Sequence, residues 1–247
     1  MEFRTLRVER RPDRTVVRLD RPEKRNAIDQ AMVDELHAVC ETLERDPAPM
    51  LLTGGDDGVF AAGADIAQLR ERTSADALRG INSGLFARIR ALPLPTVAAV
   101  DGPALGGGAE LAYGCDIRVC SSRSFFGQPE ARLGILAGAG ATWRLPALVG
   151  ESLAKELLFT GRRLPAEEAL RAGLVSAVVE PGELLSHAHG LIDDIVKASP
   201  TALRLTKLAV DAPAGAHPHV ELAAQALLFD SRDKRDRMTA FLERRDR

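Results

Sequence analysis

The chain has 247 residues, 45% hydrophobic and 28% charged, with a formal net charge of -2. That length supports one or two domains with a large buried core. The small net charge and an aromatic content of only 4% argue against a global pull toward nucleic acid and against an extended base-stacking surface.

The start, MEFRTLRVERRPDR, is charged and has no apolar stretch of signal-peptide length. The longest uncharged run, Leu133 to Trp143, is far short of the about 20 residues a membrane span needs. A cytoplasmic protein with no membrane association is the expectation. Cys40, Cys115 and Cys120 make three cysteines, with no C-x-x-C among them. Neither a disulfide framework nor a zinc knuckle follows, and buried thiols behaving as small apolar residues are expected.

Phe3, Leu6 and Val8, then Val16, Val17 and Leu19, predict two short strands joined at Arg11-Pro12-Asp13-Arg14. A helix follows from about Asp29, which can cap it. Met32, Leu36, Val39 and Leu43 recur at helical spacing, and Pro47 and Pro49 stop the run. Met50 to Thr53 reads as a buried strand ended by Gly54-Gly55-Asp56-Asp57-Gly58. Residues 74–92 read as one helix with Leu85, Ile89 and Leu92 on one face, and Thr96 to Val100 as another buried strand. From about residue 183 the pattern is helical to the end. Strands alternating with helices predict an α/β class, divided into a main body over 1–182 and a helical region over 183–247. His187/His189 and His217/His219 are spaced as H-x-H, but on helices such pairs do not face together, so solvated surface histidines are expected and no metal site.

Three segments carry candidate chemistry. In AAVDGPALGGGAELAYGCD, at 98–116, an apolar strand runs through three glycines into a helix that Glu110 helps to open. Helix first-turn amides have no intrahelical partner, and glycines allow a ligand close to them. The segment can therefore hold an anion, or an oxygen that becomes one; a tight turn that needs glycines only for packing is the plainer reading. In VFAAGADIAQL, at 59–69, small residues precede Asp65, a natural helix cap. In FFGQPEARLGILAGAGATW, at 125–143, Glu130 follows a proline among Phe126, Leu133, Ile135 and Leu136. Burial there would raise its pKa toward neutrality and suit it to proton transfer. Each glutamate could equally be an ordinary acid at a helix N-terminus.

Taken together, LDRPEKRNAID at 19–29, FAAGADI at 60–66, DGPALGGGAELAYGCDI at 101–117 and FGQPEARLGILAGAGATWRL at 126–145 resemble the successive signatures of the crotonase (enoyl-CoA hydratase/isomerase) superfamily. FDSRDKRDRMTAFLERR at 229–245 resembles its C-terminal end. The resemblance implies a crotonase-like ββα spiral core with a helical C-terminal trimerisation region, and an enzyme adding water to a 2-enoyl-CoA. By position it implies that Glu110 and Glu130 are the catalytic carboxyls and that the Ala64 and Gly107 amides form an oxyanion hole. It places Gly138 beside the attacking water. Arg25, Ala27, Ala62, Ala64, Asp65, Ile66 and Gly107 would contact substrate, with Phe241 and Arg244 reaching CoA on a neighbouring subunit. It further implies no cofactor beyond the CoA of the substrate, and a homotrimer or dimer of trimers. The chain departs from the family's commoner residues at Ala67, Gln68, Ala137, Ala141, Trp143 and Asp236-Arg237, which bears on chain length and CoA contacts.

Two other functions compete. One is another acyl-CoA reaction on the same scaffold, such as isomerisation, hydrolysis, or a ring-forming or dehalogenating step; isomerases of the resembled family generally need one carboxylate, whereas two are present. A non-catalytic acyl-CoA-binding subunit would be marked by a missing carboxylate, and neither is missing.

Overall fold

A computed structural model describes residues 3–55 and 58–245; Asp56 and Asp57 of the expected turn, and Met1 and Glu2 of the charged start, lie outside the described residues. The chain forms two compact units, Met1–Ile192 and Asp193–Arg247.

In the first unit, β1 (Leu6–Arg10) and β2 (Thr15–Leu19) pair antiparallel, closed by the Arg11 amide on the Arg14 carbonyl at 2.9 Å. Helix α1 (Gln30–Arg45) then crosses over to β3 (Met50–Thr53), which is parallel to β2. The Asp29 side chain accepts the Met32 amide at 2.9 Å, as the sequence predicts. Met32, Leu36, Val39 and Leu43 are buried in the core that α1 shares with Leu52, Phe60, Leu85 and Ile89.

Where one helix over 74–92 is expected, there are two, α3 (Ser74–Leu78) and α4 (Ile81–Arg90), after a short α2 (Ile66–Glu71). Gly80 separates them at φ 63, a left-handed conformation that glycine takes without steric cost and that cannot continue a right-handed helix. The Thr73–Asp76 capping box starts α3, and the Leu85 and Ile89 face of α4 is buried.

Among the described residues the strands form two sheets. The larger runs β1-β2-β3-β4-β6-β9 and is parallel beyond β2, with β4 at Thr96–Val100, β6 at Ile117–Ser121 and β9 at Ala177–Val179. β3 and β4 are buried along their whole length, which is why they read as continuous apolar runs rather than alternating ones. The smaller sheet runs β5-β7-β8 (Pro103–Leu105, Phe125–Gly127, Arg163–Pro165). β5 and β7 are parallel, with Leu105 opposite Gly127. Helix α5 (Gly107–Gly114) follows β5 directly, and α6 (Ala141–Val149), α7 (Glu151–Thr160) and α8 (Ala166–Arg171) lie later in the same unit. Cys40, Cys115 and Cys120 are buried, as expected, and form no disulfide among the described residues.

His187 and His189 are half-buried rather than solvated. They lie on α9 (Leu184–Val196), and the His189 Nδ1 is 3.3 Å from the Arg14 guanidinium. The amphipathic packing of α9 draws the imidazoles inward.

The second unit holds α10 (Pro200–Asp211), α11 (His219–Phe229) and α12 (Arg232–Arg245). Its helices leave Leu222, Leu227, Phe229, Met238, Phe241 and Leu242 exposed. No described helix is long and apolar enough to cross a membrane.

Candidate active site

The two β5 neighbours assemble the site. On one side, the stretch Ala61 to Ala64 runs alongside β5: the Leu105 amide donates to the Ala61 carbonyl at 3.0 Å, and Ala61 forms a parallel bridge with Ala104. The backbones approach so closely that a β-carbon on Gly108 would fall 2.3 Å from the Ala61 oxygen. On the other side, the Gly106 amide donates to the Gly127 carbonyl at 2.8 Å, which carries Gln128-Pro129-Glu130 toward the start of α5.

This register sets two backbone amides together. A β-carbon on Gly107 would be 3.4 Å from the Ala64 nitrogen. Neither the Ala64 nor the Gly107 amide donates to an acceptor among the described residues. Gly107 is the first residue of α5, where the helix offers its N–H no partner and the dipole favours negative charge.

Both glutamates turn toward the same cavity of about 560 Å³, which is also lined by Ala64, Gly107, Ile66, Leu133, Ile135, Leu136 and Gly138. Glu110 is 4% exposed and Glu130 9%. The Glu110 Oε1 accepts the amides of Ala139 at 2.8 Å and Ala141 at 3.0 Å, so its orientation is set by the backbone of the 138–141 turn. Burial pushes the Glu110 carboxyl above its ordinary range, while hydrogen bonds from the Ala141, Ala139 and Gly140 amides pull it back.

Glu130 opens a short 3-10 turn after Pro129. Burial pushes its carboxyl up to about 7, and the Glu110 charge adds to the rise. The Gln128 side chain is oriented by its neighbours with its nitrogen toward Glu130, at 3.2 Å from Oε1 and 3.0 Å from Oε2. Behind it, the fully buried Tyr113 is hydrogen-bonded to Gln128.

The model of the family described as enoyl-CoA hydratase/isomerase matches residues 14–247. The chain belongs to the enoyl-CoA hydratase/isomerase family. It is 40% identical to the short-chain-enoyl-CoA hydratase of Clostridium acetobutylicum, covering 99% of this chain and 97% of that one. It is 38% identical to the crotonyl-CoA hydratase of Syntrophomonas wolfei, with the same coverage. The crystal structure of an enoyl-CoA hydratase from Bacillus anthracis superposes with a TM-score of 0.92 at 30% identity, covering 98% of this chain and 97% of that one. The fold is therefore the crotonase α/β fold with its C-terminal helices.

Of the residues that family resemblance singles out, the structure brings Ala62, Ala64, Ile66, Gly107, Glu110, Glu130 and Gly138 to one cavity. Arg25 and Ala27 do not line it: the Arg25 carbonyl accepts the Ala62 amide at 3.0 Å while its side chain is exposed, and the Ala27 carbonyl accepts the Arg21 guanidinium at 2.8 Å. Asp65 is engaged elsewhere, accepting the Ala67 and Gln68 amides as a cap and pairing with Arg21 at 3.3 Å. Phe241 and Arg244 belong to the second unit, on α12, where Phe241 is exposed.

Three residues at the site escape a reading of local signals. Gln128 is only a polar residue near a proline in sequence, and its partner Tyr113 lies on a different element. Arg72 and Asn82 both line the cavity, yet Asn82 sits in the 74–92 stretch read as one amphipathic helix, and Arg72 falls between that stretch and the 59–69 segment.

Proposed function

We propose that this chain is an enoyl-CoA hydratase that adds water across the C2–C3 double bond of a 2-enoyl-CoA to give the 3-hydroxyacyl-CoA. The observation that carries the reading is the convergence of two buried carboxyls and two free amides on one cavity.

Attack of water on C3 of an enoyl thioester moves an electron pair through C2 onto the thioester oxygen. Amides of Ala64 and Gly107 would receive that charge without reorganising, and one such donor is worth about 2.7–4 kcal/mol in the transition state. A base must take a proton from the water, and an acid must deliver one to C2. Glu110 suits the base, because backbone amides from the 138–141 turn stabilise its anion despite burial. Glu130 suits the acid, because a carboxyl raised to about 7 still carries a proton near neutral pH. The two titrate as a coupled pair. So drawn, the reaction calls for no metal or redox cofactor, and CoA arrives as part of the substrate. Isomerisation needs a single carboxylate, and the engagement of both glutamates with one cavity favours hydration. The hydratases of C. acetobutylicum and S. wolfei named above agree with the reading.

The test is direct: incubation with crotonyl-CoA in deuterated buffer, followed by NMR. The expected product is 3-hydroxybutyryl-CoA bearing deuterium at C2. Migration of the double bond without net addition of water would overturn the proposal in favour of isomerisation.

We also propose a closed threefold assembly, a trimer or a pair of trimers, in which the second unit covers its apolar residues against another copy. Leu222, Leu227 and Phe241 are 64%, 67% and 62% exposed. A patch of that kind marks a contact surface, and homo-oligomers favour closed symmetry.

A further inference from the structure

The cavity that holds the glutamates also carries a cation that the hydration chemistry does not use. Arg72 lines the cavity and makes no ion pair with any described residue. Among the described residues its guanidinium has one partner, and that partner is neutral: Nη1 donates to the Asn82 Oδ1 at 3.0 Å. Besides the two glutamates, the acid in the cavity lining is Asp76, which is already engaged. It accepts the Thr73 amide and hydroxyl, each at 2.8 Å, and pairs with Arg79. A half-buried guanidinium without a carboxylate has donors left over, arranged in a fork that matches a carboxylate.

Asn82 links this cation to the reacting centre. It is 8% exposed. Because Arg72 can only donate, the Asn82 oxygen must face it, and the amide nitrogen is turned away. That nitrogen would lie 3.8 Å from a β-carbon on Gly107, beside the amide pair. An acyl chain whose thioester oxygen rests on Ala64 and Gly107 would thus pass Asn82 and then meet the guanidinium. Thr73 and Ser83 add hydroxyls to the same cavity.

We propose that Arg72 and Asn82 form a specificity subsite for a short acyl chain ending in a carboxylate, so that the preferred substrate is a dicarboxylic 2-enoyl-CoA. The guanidinium takes the terminal carboxylate, and Asn82 holds the guanidinium in place and offers its own N–H to the chain. This inference rests on the acyl-CoA reading above.

Two measurements on the full chain test it separately from that reading. The first is binding by calorimetry of two unreactive five-carbon ligands, glutaryl-CoA and pentanoyl-CoA. Wild type should bind glutaryl-CoA about tenfold or more tighter, the scale of one charge-assisted contact. R72M should erase the difference, R72K should keep part of it, and N82A should narrow it. Equal or tighter binding of pentanoyl-CoA by wild type overturns the subsite without reference to any variant's folding, as does an R72M ratio equal to wild type. The second is turnover of glutaconyl-CoA against trans-2-pentenoyl-CoA, where kcat/KM should favour the former. Discrimination between the two unreactive ligands, with neither enoyl-CoA hydrated, would retain the subsite and remove the hydratase reading.

Discussion

Gly106 abuts the Glu130 carboxyl: a β-carbon built on Gly106 would fall 2.6 Å from the Glu130 Oε1. The contact exists because the Gly106 amide is tied to the Gly127 carbonyl, three residues before Glu130. Gly106 also has φ 49, in the left-handed region. Backbone position and carboxylate position are therefore one quantity at this corner of the site.

Gly106→Ala should accordingly act on Glu130. Its methyl group must displace either the carboxylate or the strand end, and a displacement of about 1 Å can cost about 10²-fold in rate. Steady-state kinetics with crotonyl-CoA should show kcat reduced by that order while circular dichroism stays near wild type. Undiminished kcat would mean that the position of Glu130 does not control the rate.

Glu110→Gln should preserve the fold around the 138–141 turn, since a glutamine oxygen can still accept the Ala139 and Ala141 amides that Oε1 accepts now. It removes the basic electron pair, so kcat should fall by about 10²-fold or more. Thermal melting close to wild type, together with that loss, would separate chemistry from structure; a rate near wild type would exclude Glu110 as the base.

The raised Glu130 carboxyl predicts two pH effects of the same sign. As the acid it must be protonated, so kcat/KM should decline as pH rises through about 7. For stability, a folded pKa above the unfolded value near 4.5 means that the native state binds the extra proton between those two values. Stability from this group is complete below 4.5 and is lost as pH rises through about 7. Glu130→Gln cannot ionise, and it should therefore gain on wild type between pH 5 and pH 8, by at most about 3 kcal/mol. Denaturant melts of both proteins at the two pH values decide the matter; a constant difference would place the Glu130 pKa in the ordinary range.

The Ala64 amide can be deleted without deleting the fold's neighbouring bonds. The Ile28 amide donates to the Gly63 carbonyl and the Asp65 amide to the Ile28 carbonyl, and neither bond uses the Ala64 N–H. Ala64→Ser keeps the amide and should lower kcat/KM only slightly. Ala64→Pro removes it and should lower kcat by about 10²–10³, the cost of one oxyanion donor. Similar activities for the two variants would assign the thioester oxygen elsewhere.

Assembly has its own test. Light scattering on the full chain should report three or six copies, and truncation before Leu222 should reduce the copy number by removing the apolar residues of α11 and α12. A monomer at assay concentration in the full chain, still active, would refute the threefold assembly.

Much of this molecule can be read along the chain. The cap at Asp29, the spacing of Met32, Leu36, Val39 and Leu43, and the buried runs at 50–53 and 96–100 are local signals, because capping and periodicity depend on residues within one or two turns. The glycines at 106–108 and the acids at 110 and 130 mark candidate chemistry for the same reason, and the order of the long motifs is enough to name the family. Only the tertiary structure could decide which groups meet. Glu110 and Glu130 share a cavity because β5 and β7 pair in parallel with Leu105 opposite Gly127, a long-range register that no local pattern encodes. The Ala61–Ala104 bridge on the other side of β5 brings Ala64 beside Gly107, Gln128 lies between Tyr113 and Glu130, and Arg72 at the end of α2 meets Asn82 on α4. Burial, and with it the rise of the Glu130 carboxyl toward neutrality, follows from what is packed around a side chain in space and not from its neighbours in sequence.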